Sequence, residues 1–286
     1  MSPENWLVIS VPAGDEDVSA MVAELLVELG GQAVQETAGR LETYVPPPAD
    51  VDGWLATARA SIASVAAELA SDIAWRWEPN RDWSHEWRAG LGARRVGRHF
   101  VVTPSWVAPA TSPGEHVLVI DPEMAFGTGE HATTRGALRL LERVVRPGHR
   151  VLDVGAGSAI LAIGAAMMGA EHVLAVECDP DAIGNARDNV VRNGVAERVE
   201  IVQALVDDAF LTRHGAEFDV ILANVLSGVL KPLLSGFRGA LRPGGHLVLG
   251  GILTDEAGEM RAAIDRSGLR IVLEDVEDEW WSMLCG

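Results

Sequence analysis

Four residues between positions 153 and 177 are of types that could form a binding site, two acids and two glycines. Asp153, Gly155 and Gly157 follow a short apolar run, and Glu177 ends the next such run, 22 residues after Gly155. Glycines let the backbone approach a ligand closely, and an acid at this distance can accept hydrogen bonds from ribose hydroxyls. We therefore predict a nucleotide-type cofactor site. A tight turn without a ligand would explain the glycines alone, but not the two acids.

The residue at position 160 separates two classes of cofactor. A dinucleotide fingerprint has glycine or alanine five positions after its first glycine, where this chain has Ile160. The pattern Asp-x-Gly-x-Gly resembles instead the first motif of methyltransferases that use S-adenosylmethionine. Those enzymes bind no pyrophosphate, so they need the close turn more than the third glycine.

A second glycine-containing stretch, residues 121–134, precedes the turn by one helix. Gly127 and Gly129 allow positive φ, and the two threonines that end the stretch are predicted to cap a helix at 135–145. Such a loop could close over a ligand, with Thr134 reaching its polar end. A surface loop without a ligand is the alternative.

Asn224 ends an apolar strand predicted at 218–224. Ligands of open α/β sheets bind beyond the carboxyl ends of the strands, so Asn224 is expected to share a crevice with Gly155 and Glu177. A role as N-cap of the following helix is a competing interpretation, and both roles are compatible.

Alternation of short apolar runs with helical patterns predicts a parallel sheet that carries these residues. Ser158 is the expected N-cap of the helix after the glycine turn. Seven strands are predicted, the last one antiparallel, at 151–154, 173–176, 199–204, 218–224, 246–250, 270–276 and 280–285. The predicted fold class is therefore α/β, a seven-stranded Rossmann-like domain.

The chain is predicted to have two domains joined by a linker region. Residues 1–78 show the order βαββαβ, with the second helix at 51–70, which is typical of a small α+β ferredoxin-like domain. Residues 79–117 form a tryptophan-rich linker region, and 118–286 form the Rossmann-like domain. The first domain is interpreted as a substrate-recognition unit, with a purely structural role as the alternative.

Composition limits the remaining possibilities. The chain has 286 residues, 48% hydrophobic, two cysteines without a CxxC motif and a formal net charge of −18. The scattered histidines and cysteines predict no metal site, and the charge argues against direct nucleic-acid binding while favouring a basic protein partner. No stretch predicts a signal peptide or membrane span, so a cytoplasmic location is expected.

Five motifs together resemble the PrmA family, bacterial enzymes that methylate protein eleven of the large ribosomal subunit. They occur in family order: FGTGEHATT, VLDVGAGSAILAIGA, AVECDPDAI, VILANVL and LRPGGHLVLGGIL. The first motif is the specific one, because many methyltransferases share the glycine turn. Upstream, DWSHEW and TPSW extend the resemblance over nearly the whole chain.

The resemblance implies roles for individual residues. Asn224 is the expected catalytic residue, near the transferred methyl group, and the expected cofactor contacts are Thr134, Gly155, Gly157, Glu177, Asn224, Phe126 and Gly127. This chain has Ala159 where the family commonly has a third glycine, and Glu177 where it commonly has aspartate. Both changes are compatible with cofactor binding.

The implied function is S-adenosylmethionine-dependent methylation of lysine and N-terminal amines on a basic ribosomal protein, by an enzyme that is expected to be a monomer. Two alternatives stay open from the sequence. One is a methyltransferase of a different protein or a small molecule, and the other is a catalytically inert binding module with the same fold.

Overall fold

The computed structural model describes residues 5–79, 91–121 and 127–286, and the backbone alone of residues 16 and 17. The chain divides into two compact units, Met1–Ala89 and Gly90–Gly286. The second unit thus begins inside the predicted linker region 79–117.

In its described residues, the first unit contains a four-stranded antiparallel sheet and three helices. Its elements are β1 (Asn5–Pro12), α1 (Glu16–Glu28), β2 (Val34–Thr37), β3 (Arg40–Val45), α2 (Val51–Ala63), α3 (Ala67–Ala70) and β4 (Ala74–Pro79). The strand order is β2-β3-β1-β4. The prediction of a single helix at 51–70 is wrong, because Ala66 adopts an extended conformation that separates α2 from α3. Assignment of this unit to the ferredoxin-like class stays a prediction.

The second unit begins with a small three-stranded sheet. It consists of β5 (Arg94–Val96), β6 (Phe100–Thr103) and β7 (His116–Val119), in that order. β5 is antiparallel to β6, and β6 is parallel to β7. All four residues of β6 are buried, and Phe100 and Val102 belong to the same hydrophobic core as Val151. This part of the predicted linker region is therefore packed into the second unit.

The larger sheet has seven strands, as predicted. Its strands are β8 (Arg150–Val154), β9 (His172–Glu177), β10 (Val199–Gln203), β11 (Phe218–Asn224), β12 (Leu241–Leu253), β13 (Ile271–Glu277) and β14 (Trp280–Cys285). The helices are α4 (Ala132–Val144), α5 (Ile160–Met167), α6 (Pro180–Arg192), α7 (Asp208–Arg213), α8 (Ser227–Ala240) and α9 (Ala257–Arg266), the last preceded by a 3-10 turn at Thr254–Glu256. The sequence patterns did not indicate α7.

The strand order β10-β9-β8-β11-β12-β14-β13 explains where a ligand should bind. The strands from β10 to β12 are parallel, and β14 is antiparallel to both neighbours, which confirms the predicted terminal hairpin. After β8 the chain turns to β9 on one side, and later to β11 on the other. This reversal of direction opens a crevice at the carboxyl ends of the strands.

Two hydrophobic cores cover the two faces of the large sheet. Along β8, Val151 belongs to one core, whereas Leu152 and Val154 belong to the other. Side chains of a strand alternate between the faces, so a parallel strand covered on both sides reads as a continuous apolar run. This double burial fixes the register of β8 and therefore the position of the turn at its end.

Two kinds of feature are absent from the described residues. No helix in the described ranges has the length and apolar character needed to cross a membrane. Within the same ranges, no group of three or more histidine, cysteine, aspartate or glutamate side chains could hold a metal ion.

Candidate active site

A cavity of about 630 Å³ lies at the carboxyl ends of β8, β9 and β11. Pockets for small molecules and cofactors range from roughly 300 to 1,000 Å³ and are mostly apolar with a few polar groups. Its walls include the glycine turn, the ends of β9 and β11 and one tryptophan of the C-terminal hairpin: Gly155, Ala156, Gly157, Ile160, Glu177, Cys178, Asn224, Val225, Leu226, Val229 and Trp280. The structure thus brings Gly155, Gly157, Glu177 and Asn224 together as the sequence predicts.

Any side chain at position 155 would strain the backbone of the turn. Its φ is +67°, in the left-handed region, and a Cβ built on it would lie 2.5 Å from Val225 Cγ1. The N–H groups of Gly155 and Ala156 both donate to the carbonyl of Val176, at 2.9 and 3.1 Å. These bonds fold the turn back onto β9 and leave an open backbone surface towards the cavity.

Glu177 is 7% exposed and its carboxylate organises the turn. Oε2 accepts a hydrogen bond from Gly157 N–H at 2.8 Å, and Oε1 accepts from the N–H groups of Cys178 at 2.7 Å and Asp179 at 2.9 Å. A carboxylate has about four acceptor positions, so roughly one remains for a ligand. A ribose with two hydroxyls would therefore share this carboxylate with the backbone.

Asp153 lies behind the turn and is 1% exposed. Its Oδ2 accepts a hydrogen bond from Ala162 N–H at 2.9 Å, whereas Oδ1 has no partner among the described residues. Burial, with a smaller contribution from the negative charge of Glu177, raises the pKa of Asp153 to about 7 against the opposing effect of the bond from Ala162. The neutral acid is therefore appreciably populated near neutral pH.

The start of α5 differs from the prediction. Ser158 is not the N-cap, because Ala159 occupies that position in the left-handed conformation, with φ +64°. The hydroxyl of Ser158 instead donates to the carbonyl of Gly127 at 2.6 Å. The serine therefore links the glycine turn to the second glycine-containing stretch, a contact between positions 31 residues apart that helical capping rules do not predict.

Asn224 lines the cavity at the end of β11. Its Oδ1 is buried and has no hydrogen-bond partner in the described part of the chain. The alternative role as helix N-cap is wrong, because α8 begins at Ser227 and Leu226 is its N-cap. A Cβ at Gly250 would lie 2.6 Å from this oxygen, so the neighbouring strand leaves room for the amide.

His131, rather than either threonine, caps α4. Its Nδ1 lies 2.8 Å from Thr133 Oγ1 and accepts from Thr133 N–H at 3.4 Å. The imidazole also packs edge-on against Trp280, with ring centroids 4.9 Å apart. His131, Thr133 and Trp280 all line the cavity. These contacts give His131 a structural role in its loop.

Three further contacts predicted from the sequence differ in their outcome. Thr134 is fully buried and its Oγ1 has no partner among the described residues, but Thr133 is the threonine that lines the cavity. Gly127 lines the cavity as predicted, with φ +102°. Phe126 lies outside the described residues.

The C-terminal hairpin contributes Trp280 to the cavity wall, which no sequence pattern indicated. Arg135 and Arg139 of α4 bind Glu277 and Asp275 of β13; Arg135 Nε lies 2.8 Å from Glu277 Oε1 and Arg139 Nε lies 2.7 Å from Asp275 Oδ2. These pairs join the helix after the glycine loop to the hairpin that carries Trp280. Arginines four positions apart on one helix face were the available signal, but their partners are more than 130 residues away.

A parallel sheet in this order, with an acid at the end of β9 and a cofactor-sized cavity above the glycine turn, defines a class I S-adenosylmethionine-dependent methyltransferase. The sequence pattern of the family described as ribosomal protein L11 methyltransferase (PrmA) matches residues 6–285. The chain belongs to this family, which confirms the resemblance noted in the sequence.

Individual relatives agree with that assignment. The ribosomal protein L11 methyltransferase of Pelotomaculum thermopropionicum is 35% identical, over 96% of this chain and 96% of its own. That of Geobacter sulfurreducens is 37% identical, over 94% and 93%. A crystal structure of a ribosomal protein L11 methylase from Lactobacillus delbrueckii subsp. bulgaricus is similar with a TM-score of 0.62 and 26% identity, covering 68% of this chain and 98% of that one.

Proposed function

We propose that this enzyme transfers methyl groups from S-adenosylmethionine to lysine and N-terminal amines of ribosomal protein L11. The family and the names of its relatives support the substrate. The observation that carries the chemistry is the unpartnered Oδ1 of Asn224, a buried acceptor in the wall of the cavity. Burying an acceptor without a donor costs about 1–3 kcal/mol, so the site is built to receive a donor from a ligand.

The residues of the cavity fit the cofactor. The turn at Gly155 and Gly157 lines the cavity, Glu177 retains an acceptor position for a hydroxyl, and apolar side chains surround a space of about 630 Å³. Gly127 and Thr134 are proposed to contribute on the opposite side. When bound, S-adenosylmethionine supplies an electrophilic methyl group.

The chain's own groups must deliver an uncharged, aligned amine. A lysine ammonium loses its proton more easily in an apolar cavity, because burial disfavours the charged form. The carbonyl oxygen of Asn224 would accept a hydrogen bond from the incoming amine and hold its lone pair in line. The rings of Trp280 and His131 form a wall that would exclude water from the amine.

The acidic charge of the enzyme suits a basic protein substrate. A formal net charge of −18 attracts a basic partner and repels the phosphates of nucleic acid. We infer that residues 1–78 form a substrate-recognition domain, residues 79–117 a linker region and 118–286 the catalytic domain, and that the enzyme acts as a monomer in the cytoplasm without binding nucleic acid directly.

The first experiment combines cofactor binding with product analysis. Isothermal titration calorimetry with S-adenosylmethionine should show binding, and mass spectrometry of purified L11 from the same mixture should show gains of whole methyl groups. Binding without a mass gain would reject L11 as the substrate, and absence of binding would reject the enzyme assignment itself.

The Asn224→Ala variant tests the role of the amide. A misaligned nucleophile commonly costs about 100-fold in rate, so kcat should fall by roughly that factor while the dissociation constant for S-adenosylmethionine changes by less than about threefold. The variant should fold, because the substitution removes an unpartnered buried oxygen rather than a paired one. An equal loss of turnover and cofactor affinity would contradict the proposed role.

A further inference from the structure

Three asparagines lie one helical turn apart on the same face of α6: Asn185, Asn189 and Asn193. Asn185 is 3% exposed and Asn189 is fully buried. Side chains at this spacing share a helix face. All three amides bind backbone groups outside α6, so this face joins the helix to other segments through hydrogen bonds instead of apolar packing.

Asn189 joins two segments that are distant in sequence. Its Nδ2 donates to the carbonyl of Ser158 at 3.1 Å, and its Oδ1 accepts from Asp121 N–H at 3.2 Å. Asn185 donates through Nδ2 to the carbonyl of Asp121 at 3.1 Å. Arg192 Nη1 also donates to Asn189 Oδ1, at 2.6 Å. Every polar atom of the Asn189 side chain is therefore engaged.

Ser158 extends this connection to the cavity. Its carbonyl is held by Asn189, and its hydroxyl donates to the carbonyl of Gly127 at 2.6 Å. Ser158 is 1% exposed, so water does not compete for these bonds. Asn189 thus holds the backbone of Asp121, and Ser158 holds the carbonyl of Gly127, which forms part of the cavity wall. Asn189 and Ser158 are joined to each other, so they connect both segments.

We propose that Asn189 is a positioning residue for the cofactor site. It does not line the cavity, but it fixes the backbone of Ser158 and Asp121 and thereby sets the position of Gly127 against the glycine turn. The inference rests on the proposed use of this cavity for S-adenosylmethionine. It adds a residue outside the recognised motifs, whose effect should be on cofactor affinity more than on turnover.

The Asn189→Asp substitution tests the connection. It keeps an acceptor for Asp121 N–H and Arg192, and the guanidinium of Arg192 offsets the new charge. It removes the Nδ2 donor, which binds Ser158 O at 3.1 Å and Asn185 Oδ1 at 3.2 Å. Loss of one or two hydrogen bonds in the site should raise the dissociation constant for S-adenosylmethionine roughly 5- to 10-fold. The KM for S-adenosylmethionine should rise by a similar factor, while kcat at saturating cofactor changes little.

Asn193 provides the matched control. Its Oδ1 accepts from Val119 N–H at 2.9 Å and its Nδ2 donates to Val119 O at 2.7 Å, so it makes bonds of the same kind to β7. Asn193→Asp should lower the midpoint of thermal unfolding without changing cofactor affinity. Ser158→Ala, which removes only the bond to Gly127, should weaken cofactor binding in the same direction as Asn189→Asp, and gives the answer if Asn189→Asp does not fold.

The possible results distinguish failure of the inference about Asn189 from failure of the proposed function. If the unaltered chain binds S-adenosylmethionine and both Asn189→Asp and Ser158→Ala bind it equally well, the inference about Asn189 is overturned while the proposed function stands. A rise in the dissociation constant that is as large for Asn193→Asp as for Asn189→Asp would show a general effect of stability and would also overturn it. No binding by the unaltered chain would overturn the proposed function and, with it, this inference.

Discussion

The buried carboxyl of Asp153 should make the stability of the ligand-free enzyme depend on pH in a defined direction. Its ordinary pKa is 3.8, and burial raises the pKa to about 7 in the folded chain. Such a group stabilises the folded state fully below its unfolded pKa, and this contribution is lost as pH rises through the folded pKa. Asp153→Asn removes the titration and keeps an oxygen that can accept from Ala162 N–H.

The size of the effect follows from the two pKa values. With about 1.4 kcal/mol for each tenfold change in proton activity, the cost of ionising Asp153 is about 2 kcal/mol at pH 5 and about 4 kcal/mol at pH 8. The NH2 group that the substitution places at the Oδ1 position would have both N–H donors without a partner among the described residues, but that penalty does not change with pH and cancels in the comparison. The variant should therefore gain roughly 2–3 kcal/mol relative to the unaltered chain between pH 5 and pH 8.

Urea denaturation of both proteins at pH 5, 6.5 and 8 measures this gain. Asp219→Asn is the control, because burial of Asp219 is outweighed by bonds from Arg150 N–H and Arg242, which lower its pKa. Asp219 is then ionised in both folded and unfolded chains over this range, so its variant should differ from the unaltered chain by a constant amount. A free-energy difference for Asp153→Asn that stays constant from pH 5 to pH 8 would refute the reasoning.

Two further predictions concern the glycine turn and its neighbour. Gly155→Ala should destabilise the fold by about 2–4 kcal/mol, from the left-handed backbone and the contact with Val225, and should abolish cofactor binding; near-normal stability in urea together with unchanged calorimetry would contradict this. Cys178 is exposed and lines the cavity, with its pKa raised by partial burial and by Glu177, whereas burial raises the pKa of Cys285 to about 12. Iodoacetamide at pH 7.5 should therefore modify Cys178 slowly and Cys285 only after unfolding. S-adenosylmethionine should protect Cys178, and equal labelling by mass spectrometry with and without the cofactor would count against the assigned cavity.

The architecture of the second unit could be predicted because its patterns are local. Apolar runs such as Val151–Val154 are bounded by turn residues, and two cores that cover both faces of the sheet require just this pattern. Boundaries that depend on distant partners were predicted less well. β12 begins at Leu241, ahead of the strand predicted at 246–250, since Leu241 pairs with Phe218 before a register shift brings His246 opposite Val220.

The candidate site was predictable to the extent that it depends on the ends of strands. Topology places Gly155, Glu177 and Asn224 at one edge of the sheet, so their proximity follows from the strand order alone. The capping of α4 and α5 did not follow, because Ser158 binds the distant Gly127 carbonyl, and because α4 is capped by His131, which is not one of the usual N-cap residue types. Trp280 reaches the cavity through a hairpin whose place in the sheet no local pattern specifies.

The hydrogen-bond partners of the buried polar side chains distinguish residues that hold the turn in shape from residues that can bind a ligand. Glu177 makes three hydrogen bonds to backbone N–H groups, so most of its bonding serves to hold the turn in shape before any ligand arrives. Among the described residues, Asp153 Oδ1 and Asn224 Oδ1 are buried without partners, and each such acceptor costs about 1–3 kcal/mol. Asn224 lines the cavity but Asp153 does not, so a ligand donor can satisfy Asn224 directly, while Asp153 lowers its own cost by taking up a proton. The two atoms should therefore respond differently to perturbation: loss of Asn224 should appear in turnover, and loss of Asp153 in the pH dependence of stability.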